Sequence, residues 1–242
     1  MRILITNDDG INATGLLPLV EWAKTKGEVV VVAPKYEQSA KSHSIEIHKP
    51  FEVKKVDLFP GVEAYAIDSA PADCVRIAVL GLKMQFDLVI SGVNRGFNIG
   101  RDIMYSGTVS AVMEAANLGL RGLAVSTSPS YYPDAVQHMD EVLDYVTKHD
   151  LFSRNMIYNV NIPRGNDGRF RVTRQGGNYF SDDFATVGND LYQPCGKDVF
   201  AACQSLELDT DTVLVDKMIS VMPLTMDRTD LALFRQLKDE GL

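Results

Sequence analysis

Nothing in this chain is long and apolar enough to read as a membrane helix, since no run of about eighteen apolar residues occurs. The residues that follow Met1-Arg2 read as a short strand, not as the basic, apolar and small-residue succession of a secretory leader. A soluble, cytoplasmic protein without a membrane partner is therefore expected. Cysteine is also scarce. Cys74, Cys195 and Cys203 are odd in number and lack C-x-x-C spacing, which argues against a disulfide framework and against a thiolate zinc site. Positive charge is in deficit, with 24 Lys and Arg against 32 Asp and Glu and a net charge of −8. Nucleic-acid binders cluster cations to displace counterions, so no nucleic-acid partner is expected. A small phosphate ester remains open, because one metal ion and a few backbone N–H groups can meet its charge. Neither G-x-G-x-x-G nor G-x-x-x-x-G-K-[ST] is present, so a dinucleotide fingerprint and an NTPase loop are both unsupported.

What is present is an alternation of short β-branched runs with amphipathic segments, the pattern of βαβ units on a mostly parallel sheet. The 242 residues suit one α/β domain with an appended arm. The pattern predicts strand Arg2–Thr6, helix Thr14–Lys26 stopped by Gly27, strand Val29–Ala33, a loop to His43, and alternating half-exposed segments at Ser44–Ile47 and Phe51–Val56. A helix Pro71–Leu80, capped by Asp68 or Ser69, precedes strand Asp87–Ser91. Helix Thr108–Leu118, strand Leu123–Thr127 and helix Asp134–Lys148 complete a doubly wound half. Short strands Met156–Ile162 and Arg169–Thr173 follow, then a turn-rich arm over about 176–198, strand Ile219–Leu224 and helix Thr229–Glu240. Right-handed crossovers would bring the strand-to-helix loops to one edge of the sheet, where open α/β sheets bind ligands.

Those loops hold the chemistry. Asn7-Asp8-Asp9-Gly10 follows the first strand directly, and two adjacent carboxylates kept ionised there are most simply relieved by a divalent cation. One Asp as a turn or helix cap and the other in water is the plain alternative. The loop at 34–43 offers the hydroxyls of Ser39 and Ser42, which taken alone read as ordinary turn formers. It also offers the imidazole of His43, of the four histidines the one near a candidate loop, where a role as acid, base or phosphate contact is the lesser reading. The segment Ser91 to Gly100 presents bare backbone N–H groups at its glycines and amide oxygens at Asn94 and Asn98. Tyr105-Ser106-Gly107-Thr108 opens a helix, so hydroxyls and N–H groups at a helix N-terminus form a phosphate cradle, or ordinary caps. An oxygen-only donor set favours Mg²⁺ or Mn²⁺ over zinc.

Together N-D-D-G, V-V-A-P with a following Q-S, P-A-D-C-V, S-G-V-N-R-G-x-N-x-G and Y-S-G-T-V-S-A-V-M-E-A resemble the SurE family of survival-protein nucleotidases. The match covers roughly residues 1–127 in motif order and reappears at Val172–Gly176 and Ile219–Asp227. The resemblance implies a Rossmann-like fold whose β-rich C-terminal arm joins a homodimer or homotetramer. It also implies a metal-dependent nucleotidase acting on 5′- or 3′-nucleoside monophosphates and, in some members, on short polyphosphate. By position it puts the ligands of one divalent ion per subunit on Asp8, Asp9, Ser39 and Asn94, with Asp8 and Asp9 catalytic. The phosphate-binding turn falls on Ser106, Gly107 and Thr108, with Asn98 nearby. Thr14, Ala40 and Ser69-Ala70 stand where many members carry Pro, Gly and Gly-Thr, and Gly188–Gly196 lacks the family's aromatic W-I-G segment.

The mechanism expected is direct attack by a water that Asp8 or Asp9 orients or deprotonates, on a phosphoryl group whose oxygens the metal and residues 106–108 hold. A covalent aspartyl intermediate is disfavoured because the acids are adjacent and not in the D-x-D spacing of aspartyl-phosphate phosphatases. One rival is a non-catalytic nucleotide-binding protein on the same fold. Another is a signalling receiver domain with Asp57 as phosphoacceptor, against which Phe51–Val56 alternates with lysines, unlike a buried central strand.

Overall fold

The computed structural model describes residues 1–132 and 134–242. In chain order it contains β1 (Arg2–Thr6), α1 (Leu16–Lys24), β2 (Glu28–Pro34), β3 (Val53–Val56), β4 (Glu63–Ile67) and α2 (Pro71–Arg76), the last continued by a π turn over Ile77–Gly81. Then come β5 (Leu88–Arg95), a 3₁₀ stretch Gly100–Tyr105, α3 (Gly107–Asn117), β6 (Gly122–Thr127), a 3₁₀ stretch Asp134–His138 and α4 (Met139–Lys148). After them lie β7 (Ile157–Ile162), β8 (Phe170–Val172), β9 (Phe180–Ser181), β10 (Phe184–Gly188), β11 (Leu191–Pro194) and β12 (Lys197–Asp198). α5 (Asp209–Leu214), β13 (Ile219–Pro223) and α6 (Leu231–Asp239) follow.

The central strands form because their residues are apolar on both faces, as a parallel sheet covered by helices requires. Successive residues of a strand point to opposite faces. Ile3 and Ile5 accordingly join Leu16 and Leu19 of α1 and Val142 and Val146 of α4 in one layer. Leu4 joins Val30, Val32, Cys74 and Ala111 in the other. Each such Leu or Ile, fully buried, stabilises the fold by about 1.5–3 kcal/mol. Nine strands pair in the order β3-β4-β2-β1-β5-β6-β7-β13-β8. The run from β4 to β7 is parallel, while β3 is antiparallel to β4 and β13 to β7. The chain runs outward from β1 first through β2 and later through β5, so the topological switch lies at the carboxyl ends of β1, β2 and β5, where α/β sheets bind ligands.

Several expectations need correction. Ser44–Ile47 is not a strand, and the parallel β4, whose buried apolar residues include the small Ala64 and Ala66, was not anticipated. Neither Asp68 nor Ser69 caps α2. Ala70 holds that place without a side-chain bond, and Ser69 Oγ donates to Asp73 Oδ2 at 2.6 Å. β5 continues through Asn94 and Arg95, so half of the expected glycine loop is strand, paired to β6 across an irregularity between Ser91 and Asn94. The stretch Asp134–Lys148 splits into a 3₁₀ turn and α4. Short ladders β10-β11 and β9-β12 form the turn-rich arm. α5 was missed because its sequence D-T-D-T is polar. Asp57 lies between the end of β3 and the start of β4, and Glu63 at that start pairs with Val30 near the start of β2. The receiver phosphoacceptor would therefore sit at the amino edge of the sheet, opposite Asp8 and Asp9. Among the described residues no helix is long and apolar enough to cross a membrane.

Candidate active site

β1 ends at Thr6, and the turn beyond it is braced by its own first residue. Asn7 Nδ2 donates to Gly10 O at 3.0 Å, and Gly10 N donates back to Asn7 Oδ1 at 3.2 Å. Gly10 has φ +96°, which a side chain rarely tolerates. The next loop is tied on through Gln38 N to Asp8 O and Ile11 N to Pro34 O, both 2.7 Å. This fixes Ser39, one residue beyond Gln38, next to the aspartates, and its Oγ donates to Glu37 Oε1 at 2.7 Å. From β5, Arg95 N donates to Asp9 Oδ2 at 3.2 Å, while Asn94 spends its Nδ2 on Gly96 O at 2.8 Å, which leaves the amide oxygen as its uncommitted end.

The N-terminus of α3 closes the corner. Ser106 is its N-cap, accepting from Val109 N at 3.1 Å, as short hydroxyl side chains do at that position. Thr108 Oγ1 donates to Asp8 Oδ1. Gly107 is required by contact: a Cβ there would lie 2.8 Å from Asp8 Cβ and 3.1 Å from Pro71 Cγ. Thr108 and Asp8 are thus joined directly, Asp9 is tied to the backbone of Arg95 beside Asn94, and Ser39 is attached through the backbone of its neighbour Gln38. Asn98 is buried further along the same edge. Its carbonyl accepts from Asn159 Nδ2 at 2.8 Å and Asn161 Nδ2 at 2.9 Å, and its own Nδ2 donates to Ser126 Oγ at 2.8 Å. Among the described residues no hydrogen bond links Asn98 to the aspartates.

Electrostatically the corner is under-neutralised. Burial is the largest influence on Asp8 and raises its carboxyl to about 6, against the bond from Thr108 and with added pressure from the charge of Asp9. Asp9 is raised as well, first by burial and then by the charge of Glu37, against the N–H and charge of Arg95. A divalent cation fits this donor set, in which unrelieved carboxylates stand beside a free amide oxygen and an alcohol, all hard oxygen donors. The described residues include no cluster of three or more His, Cys, Asp and Glu arranged to hold a metal, so any ion here depends on the neutral oxygens too.

His43, singled out in the sequence, meets partners that carried no signal there. His43 Nε2 pairs with Glu114 Oε2 at 2.9 Å, and Arg76 Nη1 donates to Glu114 Oε1 at 3.1 Å. Burial pushes the Glu114 carboxyl up, but the bonds from His43, Asn117 and Arg76 outweigh it and hold the group below its usual range. Tyr132, close enough to Asp9 to feel its charge, accepts Gly15 N at 2.7 Å. Glu114, Asn159 and Asn161 reach the site across long stretches of chain, so only the fold could reveal them. Tyr132 could have been found, since it follows β6 at the same edge.

The profile of the family described as "Survival protein SurE" matches residues 3–182. A protein named "5'-nucleotidase SurE" from Thermoanaerobacter sp. (strain X514) is 38% identical over 242 residues, covering 95% of this chain and 94% of its own. One of the same name from Alkaliphilus metalliredigens (strain QYMF) is 38% identical and covers 100% of this chain and 99% of its own. The crystal structure of the SurE protein from Aquifex aeolicus superposes with a TM-score of 0.81 at 28% identity, covering 100% of both chains. The chain belongs to the SurE family.

Proposed function

We propose that this SurE-family chain is a phosphomonoesterase that hydrolyses nucleoside 5′-monophosphates, and 3′-monophosphates as a second class, to nucleoside and inorganic phosphate. One observation carries the reading. Two adjacent carboxylates, Asp8 buried and Asp9 half-buried, and the N-terminus of an eleven-residue helix converge on one strand-end corner, linked by the bond from Thr108 to Asp8. The relatives' shared name, 5′-nucleotidase, points the same way.

In this reading the N–H groups at the start of α3, with Ser106, Gly107 and Thr108, receive the phosphoryl oxygens, because a helix N-terminus presents unpaired donors and a positive dipole end. Asn98, held rigid by Asn159 and Asn161, supports the same oxygens. Asp8 and Asp9 orient a water in line with the ester bond and take its proton as its oxygen bonds to phosphorus. The ester P–O bond breaks, its electron pair stays on the nucleoside oxygen, and that oxygen is protonated to give the alcohol. A divalent cation, Mg²⁺ or Mn²⁺, would be held by Asp8, Asp9, Ser39 and Asn94 and would supply Lewis acidity that offsets the phosphoryl charge and acidifies water.

The arm at 176–198 is assigned to a homodimer or homotetramer, since Phe184, Val187, Leu191 and Tyr192 leave their side chains in water. The unpaired state of Cys74, Cys195 and Cys203 suits a reducing cytoplasm. The test is phosphate release from AMP, GMP, CMP and UMP with and without EDTA. Release that stops in chelator and returns with Mg²⁺ or Mn²⁺ is expected. Full activity in excess EDTA would remove the metal from the reading, and binding without release would favour the non-catalytic alternative.

A further inference from the structure

A groove of about 730 Å³ opens beside the corner. One wall is a single stripe of α3, Ser106, Val109, Ser110 and Met113, whose spacing of three, four and seven residues puts them on one helix face. The stripe begins at the cap of the phosphate cradle and runs roughly 10 Å at 1.5 Å per residue, about the reach from phosphorus to base in an extended nucleotide. The facing wall is apolar, with Ile103 before α3 and Met222, Pro223 and Leu224 at the end of β13.

The polar side chains of the lining are largely committed already. Ser42 Oγ donates to Met104 O at 2.7 Å, Ser110 Oγ to Gly107 O at 2.7 Å, and Gln175 Nε2 to Gly100 O at 2.9 Å. Thr173 Oγ1 bonds Ser220 Oγ at 2.8 Å. Few groups are left with which to read the edge of a base, the Tyr105 hydroxyl and His43 Nδ1 among them. The guanidiniums differ. Arg101, Arg174 and Arg228 line the groove and no Asp or Glu does, in a chain whose net charge is −8. Arg174 is engaged with Glu207 at 2.9 Å. Arg101 and Arg228 pair with no carboxylate among the described residues. Their chain neighbours Asp102 and Asp227 do not line the groove, and Asp227 accepts from Thr229 N at 2.9 Å.

We propose that this groove is the leaving-group subsite, and that Arg101 and Arg228 bind a second phosphate carried by the nucleoside, so that nucleoside 3′,5′-bisphosphates are preferred to monophosphates. The apolar walls hold the base by contact area, with little choice among bases. The inference rests on the phosphatase reading of the corner, which sets where the reacting phosphate lies. Its chemistry is the match of free guanidiniums to a phosphate dianion, which they engage by charge-assisted, often bidentate bonds.

Calorimetric titration in EDTA tests binding without turnover, using adenosine 3′,5′-bisphosphate, AMP and UMP as probes. The bisphosphate should bind at least about tenfold more tightly than AMP, the size of one hydrogen bond to a charged group. AMP and UMP should agree within about threefold, since the base is held by apolar contact and few side chains remain to read its edge. In the Arg101→Gln/Arg228→Gln double variant, whose altered side chains are exposed, the bisphosphate-to-AMP ratio should fall to near one. A ratio near one in the parent, no binding of either probe, or a ratio that survives in the double variant overturns the inference. Turnover of AMP, measured separately with metal, decides the phosphatase reading. Its absence alongside an intact binding ratio would sink that reading and with it the leaving-group role, and leave standing only the binding of a second phosphate by Arg101 and Arg228.

Discussion

At the carboxyl ends of β1, β2 and β5, polar groups are buried and several are answered from within the chain: Asn7 braces Gly10, Thr108 donates to Asp8, and Glu114 holds His43 and Arg76, while Thr6 Oγ1 has no partner among the described residues. Past β8 the relation inverts. Phe184, Leu191 and Tyr192 of the β10-β11 hairpin stand in water, and α6 buries no residue although Leu231, Leu233, Phe234 and Leu237 sit on it. The first region is packed and largely hydrogen-bonded by its own sequence, and what it leaves open is charge that a cation would offset. The second carries apolar surface that none of the described residues of the chain covers. Changes in the corner should therefore register in catalysis at any protein concentration, and changes in the arm should register only where a second copy is present.

The sharpest way to break that contrast is Asp9→Asn. It keeps the shape and removes one of the two charges that orient water and hold a cation, so kcat should fall at least roughly a hundredfold, as for other preorganised electrostatic groups. Asp57→Asn, at the opposite edge of the sheet, is the control and should retain kcat. Phosphate release from AMP measures both, and a thermal melt confirms that each is folded. Equal loss in the two variants would place the chemistry elsewhere.

Gly107→Ala probes how tightly the corner is packed. The added methyl would approach Asp8 Cβ to 2.8 Å and must move Asp8, Pro71 or the start of α3. Overpacking of this kind costs about 1–3 kcal/mol of stability, and kcat/KM should drop with it. Gly177→Ala, at the entrance to the arm, would meet no atom within 4 Å and should leave the melting temperature in place. If both glycines tolerate alanine equally, the corner is not the tighter region. A smaller loss is expected for Thr108→Val, which removes the hydroxyl that reaches Asp8. The missing hydrogen bond to a charged group should lower kcat/KM by the equivalent of about 1.5–3 kcal/mol, and an unchanged value would take Thr108 out of the site.

The same division governs what could be read without a structure. β1, β2, β5 and β6 are built on apolar runs, and β1 leads straight into Asn7-Asp8-Asp9-Gly10, so both the sheet and the edge carrying Asp8 and Asp9 were legible. β4 was not, because Ala64 and Ala66 bury little surface and the run reads as loop. α5 was not, because Asp209 is buried for a tertiary reason. It accepts Gly100 N at 3.0 Å and Gly176 N at 2.8 Å and so ties the β5–α3 loop to the root of the arm. The adjacent pair Asp8-Asp9 announced itself by spacing alone. Glu114 did not, because it meets His43 across 71 residues and an isolated Glu in a helix has no distinguishing pattern.

The arm itself yields the smallest effect on the single chain and the clearest on assembly. Leu191 and Tyr192 are 62% and 66% exposed, so Leu191→Ser with Tyr192→Ser should change the stability of an isolated subunit by no more than about 0.5 kcal/mol per site, as for surface positions generally. Buried against a second copy, each side chain would instead contribute about 1.5–3 kcal/mol. Association linked to folding makes the melting temperature depend on protein concentration. The parent should melt higher at higher concentration and elute as a multiple of 26.7 kDa, while the double variant should lose both behaviours and keep its kcat. A parent that scatters light as a monomer at micromolar concentration would remove the partner from the argument. The exposed face of the hairpin would then be ordinary surface, and the contrast with the corner would be one of packing alone.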